Sequence, residues 1–136
     1  MADSVFLDTS YLLALELTND QYHDVASQHW KQVSKALPRL VTTSYIFDEV
    51  ATFFNSRGLH AKALSVGNML LRSPSLHFIH VDPALFFDGW AYFQKHEDKM
   101  YSLTDCISFV VMEHLRITTA FTFDQHFVRA GFTRIS

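Results

Sequence analysis

Four carboxylates stand where their type and spacing suit one chemistry: Asp8, Glu49, Asp105 and Asp124. Asp8 closes the run Val5-Phe6-Leu7, and Asp124 closes Ala120-Phe121-Thr122-Phe123. Glu49 and Asp105 fall inside apolar patterns of helical period. An ionised group there lowers stability unless a cation or hydrogen bonds replace its lost hydration. Should the four meet, they form an oxygen-only site for a hard divalent ion such as Mg²⁺ or Mn²⁺, whereas zinc would ask for histidine or cysteine. Such an ion acidifies a bound water and acts as a Lewis acid.

Each acid also has an ordinary structural role open to it. Ser102-Leu103-Thr104-Asp105 matches a capping box. Asp8 precedes Thr9-Ser10 and can cap a first helix, and Asp124 can cap the segment carrying Phe127 and Val128. Glu49 can pair with Arg57. Taken singly, these roles outweigh ligation for every acid except Glu49. Taken as a set on one edge of one sheet, ligation prevails. The eight histidines are scattered, and His77 and His80 face opposite sides of any strand because their separation is odd. None is assigned to catalysis.

Strands and helices alternate along the chain. Val5–Leu7 is short and apolar enough for a central parallel strand. Tyr11–Leu15 predicts a short helix, and Asp20 is expected to cap a second one reaching Ala36. Leu40–Thr43 is rich in β-branched residues and predicts a second strand. From Tyr45 the positions Ile46, Val50 and Phe53 set a helical period that turns Glu49 inward and Asp48 away. Gly58 is the expected stop of that helix. A helix over 60–72, a strand over 77–81, and a helix opening at Pro83 follow. Ser102 opens a helix to about Leu115, with Asp105 in its first turn, where the helix dipole favours an anion. Residues 118–123 form a fourth strand and 132–135 a short fifth. The expectation is one α/β domain over residues 1–136, with a mostly parallel central sheet of four to five strands flanked by helices. In such sheets ligands gather beyond the carboxyl ends of the strands.

Bulk properties narrow the function. A chain of 136 residues, 49 % hydrophobic and 18 % charged, is long enough for a proper core and unlike a disordered segment. A formal charge of −3 excludes a broadly basic surface, although Arg57, Lys62, Lys95, Lys99, Arg116 and Arg129 can still line a local groove. No apolar run approaches the ~18 residues of a membrane span, and no secretory leader is expected. The single cysteine, Cys106, cannot form an internal disulfide and fits a reducing cytoplasm. Thirteen phenylalanines at helical or strand spacing are expected to be core.

The acids with their neighbours resemble the acidic motifs of PIN domains: Val5-Phe6-Leu7-Asp8-Thr9-Ser10, Ser44 to Val50 around Glu49, Ser102-Leu103-Thr104-Asp105-Cys106 and Thr122-Phe123-Asp124. Motif order is kept over nearly the whole chain. Among PIN proteins, a domain this short is most similar to VapC-type toxins of toxin–antitoxin pairs. The resemblance implies a metal-dependent endoribonuclease with Asp8, Glu49, Asp105 and Asp124 as catalytic acids. Asp8 and Asp105 are expected as main ligands of Mg²⁺ or Mn²⁺, with Asp124 a ligand directly or through water. Glu49 either binds a second ion or holds the attacking water. Thr9, Ser10, Ser102 and Thr104 match positions that support these acids. The resemblance further implies an RNA substrate, a VapB-like antitoxin and a homodimer. Helices around Phe53-Phe54 and Phe86-Phe87 are candidates for a peptide groove or dimer contact. Alternatives are a PIN nuclease of RNA processing, or a catalytically silent module that binds RNA or protein. A haloacid-dehalogenase fold would want an acid at Ser10, and a response-regulator receiver a lysine after a late strand; both rank lower.

Overall fold

The computed structural model describes residues 3–135. Five strands, β1 (Ser4–Leu7), β2 (Arg39–Thr43), β3 (Leu76–Ile79), β4 (Thr119–Phe121) and β5 (Thr133–Ile135), form one parallel sheet in the order β3-β2-β1-β4-β5. Between them run α1 (Thr9–Glu16), α2 (His23–Val33), α3 (Ser44–Ser56), α4 (His60–Arg72), α5 (Pro83–Lys95), α6 (Leu103–His114) and α7 (Gln125–Arg129). Successive strands first step outward from β1 to β3, then cross back to β4 and β5. Right-handed crossovers therefore put α1–α4 on one face and α5–α7 on the other. Helix packing follows the same division: α1 meets α2 and α3, α3 meets α4, α5 meets α6, and α6 meets α7. The chain direction reverses at the seam between β1 and β4, where open α/β sheets place their ligands.

The core sits on both faces of that seam, with Phe6, Val41, Ala120 and Phe121 essentially inaccessible. Helix ends follow local chemistry. Gly58 takes φ 74°, and Leu59 N–H bonds Phe54 C=O at 2.9 Å, closing α3 with a left-handed turn that a side chain would strain. Asp82 caps α5 by accepting from Leu85 N–H at 2.8 Å, with Pro83 next in line. Among the described residues no helix is long and apolar enough to cross a membrane.

Several boundaries differ from the sequence expectation. Asp20 does not cap α2; its carboxylate accepts from Tyr22 N–H at 2.8 Å, closing a turn of its own, and the helix starts at His23. After Val33 the chain tightens into a 3₁₀ turn over Ser34–Ala36. β3 ends at Ile79 rather than Val81, because Val81 N–H bonds the Ser44 hydroxyl at 2.9 Å. β4 ends at Phe121 rather than Phe123, because the backbone beyond it bonds to side chains of the site below.

Where α5 crosses α6, Gly89 is the one buried residue of α5. A methyl group at Gly89 would collide with Ile107 Cγ1 and come within 3.4 Å of its Cα. Gly89→Ala is therefore expected to destabilise the fold by about 1–3 kcal/mol despite alanine's better helix propensity. A lower denaturant midpoint checks this.

Candidate metal centre

Asp8 leaves β1 at the seam, its N–H completing the ladder to Phe121 C=O at 3.2 Å. It occupies the N-cap position of α1 but makes no capping bond. Its carboxylate turns instead to two hydroxyls, Ser10 Oγ donating to Oδ2 at 2.8 Å and Thr122 Oγ1 at 2.7 Å. Each hydroxyl in turn accepts a backbone N–H, Ser10 from Phe123 at 2.9 Å and Thr122 from Asp124 at 3.0 Å. Those bonds fix both hydroxyl protons on one carboxylate oxygen and leave Oδ1 without a protein donor among the described residues. The same bonds hold the segment after β4 against β1.

Asp105 does form the capping box: Ser102 Oγ accepts from Asp105 N–H at 3.0 Å, and Asp105 Oδ2 accepts from Ser102 N–H at 3.1 Å. Asp124 caps α7 by accepting from His126 N–H at 2.8 Å. Capping and clustering thus coexist. Glu49, half-buried on α3, accepts the Thr9 hydroxyl at 2.6 Å, and the Thr104 hydroxyl also favours its charged form. Arg57 does not pair with Glu49; its guanidinium lies 3.6 Å over the Phe53 ring. All four supporting residues expected from the sequence, Thr9, Ser10, Ser102 and Thr104, therefore sit against an acid.

Burial and mutual repulsion set the electrostatics. Asp8, only 4 % exposed, is pushed up to about 6 by burial, with the Thr122 and Ser10 hydroxyls opposing and the charges of Asp105 and Asp124 adding. Burial raises Asp105 too, against the Ser102 amide and His126, while Asp124 raises it further. Burial raises Glu49, and Asp105 adds to that. Asp8, Asp105 and Asp124 thus lie in one another's fields, and Glu49 joins them through Asp105. Among the described residues the one basic side chain within ion-pair distance of them is His126, whose Nδ1 lies 3.1 Å from Asp105 Oδ2 and 3.5 Å from Asp124 Oδ1. One donor atom each from Asp105, Asp124 and His126 fits within 4.8 Å. A buried acid with its neighbours unpaired by lysine or arginine is a donor set that fits a divalent cation.

Two residues escaped the sequence reading. Thr122 shares the extended-chain face of Asp124 by its spacing of two, a signal that was available. His126 gave only a weak signal, a histidine within one turn of a strand-end acid. Phe54 is wholly buried, yet a mostly apolar cavity does lie on its helix, between α3 and α4, lined by Phe47, Ala51, Ala63, Leu64 and Leu71. A second apolar cavity lies among α1, α2 and α4, lined by Tyr11, Leu12, Leu15, Trp30, Leu70 and Leu76. Phe87 is exposed.

A match to the PIN domain family covers residues 5–133. The 23S rRNA-specific endonuclease VapC20 of Mycobacterium tuberculosis is 32% identical over 131 residues, spanning 96% of this chain and 97% of that protein. The crystal structure of Mycobacterium tuberculosis VapC20, described as a sarcin–ricin loop cleaving toxin, superposes with a TM-score of 0.87 at 29% identity, over 96% of this chain and 98% of that one. A toxin–antitoxin complex from Klebsiella pneumoniae superposes with a TM-score of 0.63 at 12% identity over 97% and 96% of the two chains, a likeness of fold alone.

Proposed function

Because this chain belongs to the PIN domain family, we propose that it is a divalent-metal-dependent endoribonuclease, the toxin of a toxin–antitoxin pair, acting through a single domain over residues 1–136. The observation that carries this is that Asp105 and Asp124 gather with His126 within 4.8 Å at the sheet's switch point, in the field of the buried Asp8, with no lysine or arginine among the described residues to neutralise them. Similarity to VapC20 across 96% of the chain makes 23S ribosomal RNA, at its sarcin–ricin loop, the first substrate to test.

Asp8, Asp105 and Asp124 would hold Mg²⁺ or Mn²⁺. A cation bound there supplies Lewis acidity and charge neutralisation at the scissile phosphate. Ser10 and Thr122 orient the Asp8 carboxylate by saturating Oδ2, so that Oδ1 would be the oxygen left to hold a cation. Ser102 does the same for Asp105 from the first turn of α6. Glu49, held by the Thr9 and Thr104 hydroxyls, would accept a proton from the attacking water. The water oxygen bonds to phosphorus as the bond to the 3′ oxygen breaks, and the 3′ oxygen takes its proton from solvent. The products are a 5′-phosphate and a 3′-hydroxyl, as expected of PIN-like enzymes. The open cleft beside Glu49, with Thr9, Thr52, Ser56 and Arg57 along it, offers the RNA strand a polar approach.

The partner expected for such a toxin is a VapB-like antitoxin, and the apolar cavity among α1, α2 and α4 suits an amphipathic helix from it. We further propose a homodimer working in the cytoplasm. The deciding experiment incubates purified protein with 23S rRNA and with a sarcin–ricin hairpin. Cleavage is expected with Mg²⁺ or Mn²⁺, lost in EDTA and restored by excess metal. Cleavage that persists in EDTA, or none with any divalent ion, overturns the proposal.

A further inference from the structure

We infer that His126 is a nitrogen ligand of the metal, making the centre a mixed nitrogen–oxygen site that prefers Mn²⁺ to Mg²⁺. This rests on the metal centre proposed above and adds to it a residue outside the acidic motifs.

The imidazole is held from several sides. The backbone N–H of His126 bonds Asp124 Oδ1 at 2.8 Å, and the ring packs edge-on against Tyr101 with centroids 5.4 Å apart at 78°. Those contacts aim Nδ1 at Asp105 Oδ2, 3.1 Å away, and leave it 3.5 Å from Asp124 Oδ1. Adjacent ligand atoms about 2.1–2.2 Å from one octahedral ion lie about 3 Å apart. Nδ1 therefore stands at the separation of a neighbouring ligand from Asp105, and slightly beyond it from Asp124.

A hydrogen bond from a protonated Nδ1 to Asp105 would satisfy one of these distances equally well. It would leave unused the second carboxylate nearby, Asp124, whose Oδ1 lies 3.5 Å from Nδ1 and receives the backbone N–H of the same residue. Asp105 Oδ2 likewise already accepts from Ser102 N–H. An unprotonated Nδ1 sharing a cation with both carboxylates uses all three atoms at once. Imidazole suits transition metals, whereas Mg²⁺ keeps to oxygen and retains its water, so the nitrogen biases the site towards Mn²⁺.

The test reads the bound ion directly, without RNA. Mn²⁺ is added to the full chain, and electron spin-echo modulation is recorded with natural-abundance and ¹⁵N-histidine-labelled protein. Nitrogen modulation is expected, changing its pattern with the label and vanishing in His126→Gln. By calorimetry, Mn²⁺ affinity should fall roughly tenfold or more in His126→Gln. Mg²⁺ affinity should change less than about threefold, since Mg²⁺ relies on the carboxylates. Bound Mn²⁺ without histidine modulation, or modulation surviving in His126→Gln, overturns the ligand assignment and leaves the carboxylate centre standing. Failure of the wild-type chain to bind Mn²⁺ overturns both. The labelled wild-type spectrum decides the matter even if His126→Gln folds poorly.

Discussion

Asp8→Asn is expected to reduce RNA cleavage at least about a thousandfold, because a direct ligand is lost where even supporting residues cost tenfold or more. At the same time the metal-free variant should be more stable than the wild type at pH 7.5. The amide oxygen can still accept from Ser10 and Thr122, so the local bonds survive. What disappears is a buried negative charge repelled by Asp105 and Asp124. The sign follows from linkage. Asp8 rises from 3.8 to about 6 on folding, so its contribution to stability is intact below pH 3.8. It is lost as pH climbs between those values and stays lost above them. The two-unit rise corresponds to roughly 3 kcal/mol at most, and Asn recovers some of that at pH 7.5 and little near pH 4. Chemical denaturation of EDTA-treated proteins at both pH values checks it. Near-normal cleavage by a well-folded Asp8→Asn protein would remove Asp8 from the centre, and lower stability at pH 7.5 would refute the electrostatic account.

Glu49→Gln should separate chemistry from metal binding. Glutamine keeps an oxygen to accept from Thr9, so α3 and the start of α1 stay in register. It cannot accept a proton from water. The single-turnover cleavage rate is expected to fall about 10²–10⁴-fold, the range for loss of a positioned base. Mg²⁺ affinity and the concentration of RNA needed for half-saturation should move little. A parallel loss of metal affinity would make Glu49 a ligand instead. That reassignment is chemically open, since burial and the Asp105 charge already raise this carboxyl as they do its neighbours.

The acids were legible because each sits where local pattern and charge disagree. Asp8 ends an apolar strand, and Glu49 falls on the inward face of a helix beside Ile46 and Val50. Ser102 and Asp105 announced a helix start by spacing alone, and Gly58 announced a helix end. Each of these signals is contained within a few residues of chain. The misses have a different origin. Thr122 is held at the site by a bond to Asp8 across 114 positions, and β4 is cut short by the bond from Phe123 N–H to the Ser10 hydroxyl, 113 positions away. β3 is shortened by the Ser44 hydroxyl, 37 positions from Val81. Asp20 chose a local turn over a helix cap, two states that propensity hardly separates. His126 became visible only once α7 had turned its ring over α6.

The seam between the first and fourth strands has a consequence for synthesis. β1 is made first, yet its neighbour on the active side, β4, follows more than a hundred residues later. Asp124 and His126 come later still. A growing polypeptide can bury its early helices against β1 and β2, but it cannot assemble the centre until the last part of the chain has emerged and docked. The centre is thereby absent until the segment carrying Asp124 and His126 has docked against β1 and α6.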